Sequence, residues 1–320
     1  MRWVRLVPDD TRFDFMGQRR FAFAFTILLT LASLISLGIQ GLNLGLDFTG
    51  GVLVEARHER SVDLATLRPK LNALGLGEVQ LQRFGDEREV MIRLQEQPGG
   101  APAQMQAIAA IKGALGTEYE IRRSEFIGPQ VSQELLRNGI LAAVLAVALI
   151  SVYVWFRFEW QFGVAALLTT FHDVIATFGL FSILRLEFDL IVVTAILTIA
   201  GYSINDTVVV FDRVRENLRK YKKLDMRAIV NMSVNQTLSR TILTAGTTMV
   251  AVLALLFFGG PVLFNFAAAF AWGILIGTYS SVFVASALLL SFPSPRAGVA
   301  GDSDAAPSPA IESEKQHAPS

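Results

Sequence analysis

The chain has 320 residues, of which 52% are hydrophobic and only 18% charged, against roughly 25% charged in an ordinary soluble domain. Twenty-eight basic residues balance twenty-eight acidic ones, which argues against a nucleic-acid binder and against an acidic disordered chain. The absence of cysteine excludes disulfide frameworks, cysteine zinc sites, iron–sulfur clusters and cysteine nucleophiles.

The mean hydropathy of +0.46 is unevenly spread. Six long apolar stretches cover 21–39, 138–156, 162–184, 190–211, 241–258 and 264–290, and about 18 residues suffice to cross a hydrocarbon core of roughly 30 Å. The expected fold is a polytopic α-helical membrane protein with six transmembrane helices. The first stretch follows Arg2, Arg5, Arg12, Arg19 and Arg20 but is too long for a signal-peptide core and lacks a cleavage site, so it reads as transmembrane helix 1.

Basic residues orient the chain. Five arginines precede the first span, and Arg213, Arg215, Arg219, Lys220, Lys222, Lys223 and Arg227 lie between spans four and five. Under the positive-inside rule both termini are cytoplasmic. The organisation expected is a cytoplasmic segment over 1–20 and transmembrane helix 1 over 21–39. An extracytoplasmic domain over 40–137 follows, then transmembrane helices 2–6 over 138–292 with a basic cytoplasmic loop at 212–239. The Pro/Ala/Ser-rich stretch 293–320 reads as a disordered cytoplasmic tail.

Within 40–137 a strand is expected near residues 52–57, where Val52, Val54 and Ala56 alternate with Leu53, Glu55 and Arg57. Leu64, Leu67, Leu71 and Leu74 recur at helical spacing, and Gly75 is placed to end that helix. Two strands over 79–84 and 88–95 join at a Gly85–Asp86 turn. A second helix starts at Pro102 with Met105, Ile108, Ile111 and Leu115 inward, and 119–126 supplies a fourth strand. The order βαββαβ points to a ferredoxin-like α+β domain between helices 1 and 2. The run NLGLDFTGG at 43–51 lacks the ending of a phosphate loop. Gly45, Gly50 and Gly51 instead read as a tight turn from membrane to strand, with Gly128–Pro129 as the second linker.

Charges inside spans need a reason, because each costs at least about 2.5 kcal/mol near the bilayer centre. His172 and Asp173 sit in span three, Asp206 in span four and Arg240 at the inner end of span five. Asp206 is sixteen residues from Leu190 and Arg240 eighteen from Phe258, so their depths agree to about 3 Å. Asp173 lies roughly 8 Å further out. A matched Asp and Arg allow either a static pair that fixes helix register or a protonatable relay. Ser203 and Asn205 flank Asp206, and Thr244 follows Arg240 on the same side. Relay and structural roles stand equal for His172 and Asp173. No metal cluster, nucleotide loop or nucleophile elbow is present in the sequence, so neither an enzyme nor a bound cofactor is expected.

These motifs resemble the SecF family of the SecDF complex of bacterial protein export, over about residues 13–292. They are FDFMGQRR at 13–20, NLGLDFTGG at 43–51, FIGPQVSQEL at 126–135 and FHDV at 171–174. AGYSINDTVVVFDRVREN at 200–217 and NQTLSRTILT at 235–244 complete the set. The resemblance implies a half-transporter of the resistance-nodulation-division type in the bacterial plasma membrane. It would be partnered by SecD, beside the SecYEG translocon, and would act on a translocating preprotein. Protons or sodium would be the coupling ion, and Asp206 and Arg240 would be part of the ion path. A small-molecule or lipid exporter of the same class is the alternative, disfavoured by six spans where such exporters usually carry twelve.

Overall fold

A computed structural model describes residues 11–293 except 78 and 85. The expected tail, apart from Pro293, and the residue Gly85 of the expected turn lie outside the described residues, as do Arg2 and Arg5. Six helices are long and apolar enough to cross a membrane: α1 (Arg19–Gln40), α5 (Pro129–Arg157), α6 (Trp160–Leu184), α7 (Leu190–Lys220), α8 (Met226–Phe258) and α9 (Gly260–Tyr279). The last continues through a π-helical turn at Ser280–Ala285 into Ser286–Leu288.

These spans form two classes. The apolar windows of α6, α7 and the α9 span are 56%, 50% and 67% buried, whereas those of α1, α5 and α8 are 17%, 6% and 11% buried. The inner three make the core and the outer three present apolar side chains outward, the arrangement of a protein that meets lipid or another membrane subunit. Small residues permit the tightest crossing: a Cβ at Gly179 of α6 would run into Ser33 of α1.

The expected loop at 212–239 is helical except at 221–225. Helix α7 runs to Lys220 and α8 begins at Met226, where Asp225 caps it through a bond to the Arg227 amide. Charge identifies a residue that leaves the bilayer, but nothing obliges the helix to stop there. Arg213 and Asn217 of α7 both donate to Gln236 of α8, and Asn217 also reaches Ser233. The two helices therefore stay paired beyond the apolar zone.

Between α1 and α5, strands β2 (Gly51–His58), β3 (Val79–Phe84), β4 (Asp86–Leu94) and β5 (Tyr119–Ile127) form an antiparallel sheet in the order β3-β4-β2-β5. Helices α3 (Leu64–Asn72) and α4 (Gly100–Leu115) pack on it. This is the split βαβ arrangement, with Val52, Val54, Leu71, Ile92, Ile111 and Leu115 in its core. Met105, expected inward, is 64% exposed. The buried stripe of α4 instead runs through Gln104, Ala107, Ile111 and Leu115, with the Gln104 Nε2 donating to the carbonyl of Gln97.

Gly51 opens β2 at φ +109°, and a Cβ there would collide with the carbonyl of Leu94 on the neighbouring strand. Gly51→Ala is expected to cost about 1–3 kcal/mol. It should lower the melting temperature of the detergent-solubilised chain and raise amide exchange in β2 and β5, while Gly246→Ala, where a Cβ meets open space, should do neither.

Candidate functional site

Helices α7 and α8 form an antiparallel hairpin in which Asp206 lies fourteen residues before the end of α7 and Arg240 fourteen after the start of α8. The two are therefore level, as their distances from the outer helix ends also imply. Asp206 is 4% exposed and its Oδ2 has no hydrogen-bond partner, whereas Arg240 is exposed. Arg240 is the cation whose field reaches the Asp206 carboxylate, without a hydrogen bond between them. The structure thus brings the two together as neighbours rather than as a closed ion pair.

About one helical turn outward of Asp206 lies a second carboxylate. Asp173 of α6 has no exposed surface. Its Oδ1 meets His172 Nδ1 at 3.0 Å, and its Oδ2 accepts from Ser203 Oγ of α7 at 2.5 Å and from Ser280 Oγ at 2.8 Å. Ser280 is the first residue of the π turn, in which Ser286 Oγ donates to the Ser281 carbonyl. Ser281 Oγ in turn pairs with Thr207 Oγ1 at 2.9 Å, on the residue next to Asp206. Gly277 lets α9 approach closely, since a Cβ there would sit 3.1 Å from Ser203 Cβ. Sequence reasoning found Asp173, His172 and Ser203 but not Ser280 or Ser281. A serine pair in an apolar run carries no sign of its depth, and a π turn has no sequence signature.

Two expected members stand apart. Asn205 is exposed, on the side of α7 away from buried Ser203 and Asp206. Thr244 spends its hydroxyl on the carbonyls of Arg240 and Thr241 within its own helix, the usual way a hydroxyl is satisfied in a span. Much of the 200–217 and 235–244 motifs is structural. Both carboxylate oxygens of Asp212 accept from Arg157 Nη2, at 2.6 and 2.7 Å. Asn231 and Asn235 bind the backbone of Phe13 and Met16, docking the segment before α1 onto α8.

The linker glycines belong to a bonded joint. Strand β1 (Asn43–Leu44) pairs in parallel with β6 (Glu187–Phe188), the connection between α6 and α7. Gly45 donates to the Phe188 carbonyl at 2.8 Å, and a Cβ on it would stand 3.0 Å from Glu187 Oε1. Asp47, in the short helix α2 (Leu46–Thr49), accepts from the Leu190 amide at 2.9 Å, while Asp189 accepts from that of Val192 at 2.8 Å. Two carboxylates thus cap the N-terminus of α7, where the helix dipole favours negative charge. Arg93 of β4 pairs with Glu187. Gly50, at φ +66°, packs on the Ile127 carbonyl, and Gly128 and Pro129 begin α5 as its N-cap and first residue.

Comparison with known proteins identifies the group. The family model described as "Protein export membrane protein SecD/SecF, C-terminal" matches residues 107–294, and "SecD/SecF GG Motif" matches 35–59. The chain is 44% identical over 296 residues to the "Protein translocase subunit SecF" of Rickettsia rickettsii (strain Sheila Smith), covering 90% of this chain and 94% of the relative. The chain belongs to the SecF family. It is likewise 44% identical to the SecF of Rickettsia bellii (strain OSU 85-389), over 90% of this chain and 96% of that one. Among solved structures it is similar to SecDF of Thermus thermophilus, described as a translocon-associated membrane protein. That match has TM-score 0.82 and 40% identity, over 91% of this chain and 39% of the SecDF chain. SecDF in its super-membrane-facing form gives 0.65 at 38% identity, over 91% of this chain and 40% of that one. The chain therefore spans about two fifths of SecDF, and nearly all of a SecF. It is a multi-pass membrane protein of the Sec export machinery.

In this SecF-family chain the joint carries a titratable group outside the spans. Burial, reinforced by Glu187 and Asp47, pushes Asp189 up to about 6 from its ordinary 3.8, against the opposing pull of its Val192 cap bond. The other charged groups lining the cavity of about 330 Å³ beside it are Glu55, Arg123 and Glu125. A carboxyl whose docked value is raised favours docking while protonated, so this contribution is full below 3.8 and lost as pH rises through about 6. Amide protection at β1 and β6, corrected for intrinsic exchange, should rise on acidification from above 6. Asp189→Asn, which keeps a capping oxygen, should flatten that profile; an unchanged profile excludes Asp189 as its source.

Proposed function

We propose that the chain is one half of an ion-driven transporter that promotes protein export, with Asp206 as the proton-accepting (or sodium-binding) group and Arg240 as its switchable counter-charge. The observation that carries this reading is the buried Asp206 carboxylate with an unpartnered oxygen, level with an exposed arginine on the next helix. A pair serving only to fix helix register would be closed, since an unsatisfied buried charge is costly. Held apart, the two charges leave room for a proton or another cation to arrive, and guanidinium keeps its charge throughout. One elementary charge crossing 100 mV supplies about 2.3 kcal/mol, enough to bias a helix or domain movement.

An exposed arginine within a membrane span also calls for a partner. Arg240 shares α8 with exposed Leu243, Thr247 and Val250, and α8 is 11% buried over its apolar window. The partner this reading assigns is SecD, a second set of spans covering that face. The length of the solved SecDF chains, of which this chain matches 39–40%, supports it. Work beside the SecYEG translocon on an emerging preprotein, late in its crossing, follows from the same reading, with the outer domain on the extracytoplasmic side and both termini in the cytoplasm. The alternative of a small-molecule exporter finds less support, because relatives named as protein translocase subunits match along 94–96% of their length.

Proteoliposomes holding this chain, its SecD and the translocon should lose gradient-dependent export with Asp206→Asn while keeping normal assembly; export at the wild-type level would remove Asp206 from the path. If Arg240 merely neutralised Asp206, joining Arg240→Leu to Asp206→Asn would restore export. The expected result is recovery of stability without recovery of export. Because the natural chain has no cysteine, orientation is readable by single-cysteine labelling. Lys222→Cys should react only after the cytoplasmic face is opened to reagent, and Gln97→Cys from the outer face.

A further inference from the structure

The His172–Asp173 pair takes no part in the relay proposed above, yet its surroundings are those of a group built to exist in two protonation states. Asp173 is fully buried, and every donor it receives is a hydroxyl or an imidazole: Ser203 and Ser280 on Oδ2, His172 on Oδ1. Among the described residues no lysine or arginine pairs with it. Helix α7 faces it with Ser203 and, one turn on, Asp206. Helix α9 faces it with Ser280 of the π turn, and α6 itself contributes His172. Packed behind α6, α1 has no ionisable side chain between Phe21 and Gln40, and α5 has only Tyr153 between Asn138 and Phe156.

Ser280 has one hydroxyl proton and two acceptors within reach, Asp173 Oδ2 at 2.8 Å and the Gly277 carbonyl at 3.1 Å. With Asp173 charged, both serine hydroxyls donate to it. With Asp173 neutral, its own O–H donates to Ser280 Oγ, and the Ser280 proton turns to Gly277. One proton is gained, one O–H bond forms, and Asp173 and Ser280 each keep their hydrogen bonds. Beside Asp173, the buried Nε2 of His172 has no partner, so the pair retains an open proton acceptor. The link towards Asp206 is also present. Ser281 follows Ser280, and its hydroxyl meets Thr207, the neighbour of Asp206, and the Ser203 carbonyl, so one π segment touches the surroundings of both carboxyls.

We infer that Asp173 is a second proton-binding carboxyl of this chain, with Ser280 as its switching partner on the π turn of α9. The inference rests on the ion-relay reading for its purpose but is tested apart from it. In the lipid-reconstituted complex of the full chain with its SecD, infrared difference spectra on acidification report the carbonyl stretch of buried protonated carboxyls. In an Asp206→Asn, Asp189→Asn background a band from Asp173 should remain beside any from the partner's carboxyls. It should vanish when Asp173→Asn is added, and shift when Ser280→Ala is added instead. A spectrum unchanged by Asp173→Asn overturns the inference, because Asp173 then keeps one protonation state throughout. With Asp206 intact, Asp173→Asn should lose most gradient-driven export at normal complex levels, and full export there overturns it as well. If Asp173→Asn fails to assemble, Ser280→Ala carries the test: a shifted band supports the switch, and an unmoved one sinks it. Full export by Asp206→Asn would instead strike the relay reading, leaving the Asp173 band to be judged separately.

Discussion

Hydrocarbon offers no hydrogen-bond partner, so every polar group carried into the membrane has to be satisfied by the protein itself. Asp173 shows how much structure that requirement organises. Its carboxylate gathers donors from α6, α7 and the π turn of α9, and those are the three helices that form the buried core of the membrane region. Gly277 admits the close approach of α9 to Ser203, and Gly179 that of α1 to α6. The outer helices α5 and α8 have no comparable polar tie to the core within their apolar windows and remain open to lipid or a partner.

The same rule governs the boundary with water. The first amides of α7 emerge on the side of the sheet domain, where Asp47 and Asp189 accept from them. Asp47 belongs to the segment leading from α1 into the outer domain, so satisfying a helix terminus simultaneously attaches that domain to the bundle. The β1–β6 ladder and the Arg93–Glu187 pair add to the attachment. The glycine segment read as a tight turn is therefore part of a bonded joint between domain and bundle. A movement started in the membrane has a direct mechanical route into the sheet through the top of α7, the helix that bears Asp206.

Asp206 departs from complete satisfaction, as do Tyr202, Thr278 and the Nε2 of His172 near it, but among these it is the carboxylate. Where α7 and α8 are joined, away from the sheet domain, polar residues have partners, among them Asp212 with Arg157 and Asn217 with Ser233. Asp206 retains a buried oxygen with nothing bonded to it, although an arginine stands level on the next helix. Departures from local consistency concentrate where a protein works, and the family to which the chain belongs gives that departure a setting in protein export.

Composition and the period of the apolar stretches already determine six spans, and the alternation and turn residues of 40–137 determine a βαββαβ order, because both follow from local chain geometry. Depth was legible too: counting residues along straight helices put Asp206 and Arg240 at one level, and the hairpin agrees. Direction around a helix was much less so. Met105 turned outward while Gln104 is buried and donates to a carbonyl, and Asn205 lies on the outer side although it adjoins Asp206 in sequence. The partners of Asp173 come from residues 30 and 107 positions away along the chain. Sequence reports which polar groups are carried into the membrane. Only the packing of α6, α7 and α9 decides which of them meet, since a hydrogen bond depends on a match of a few tenths of an ångström that no local pattern encodes.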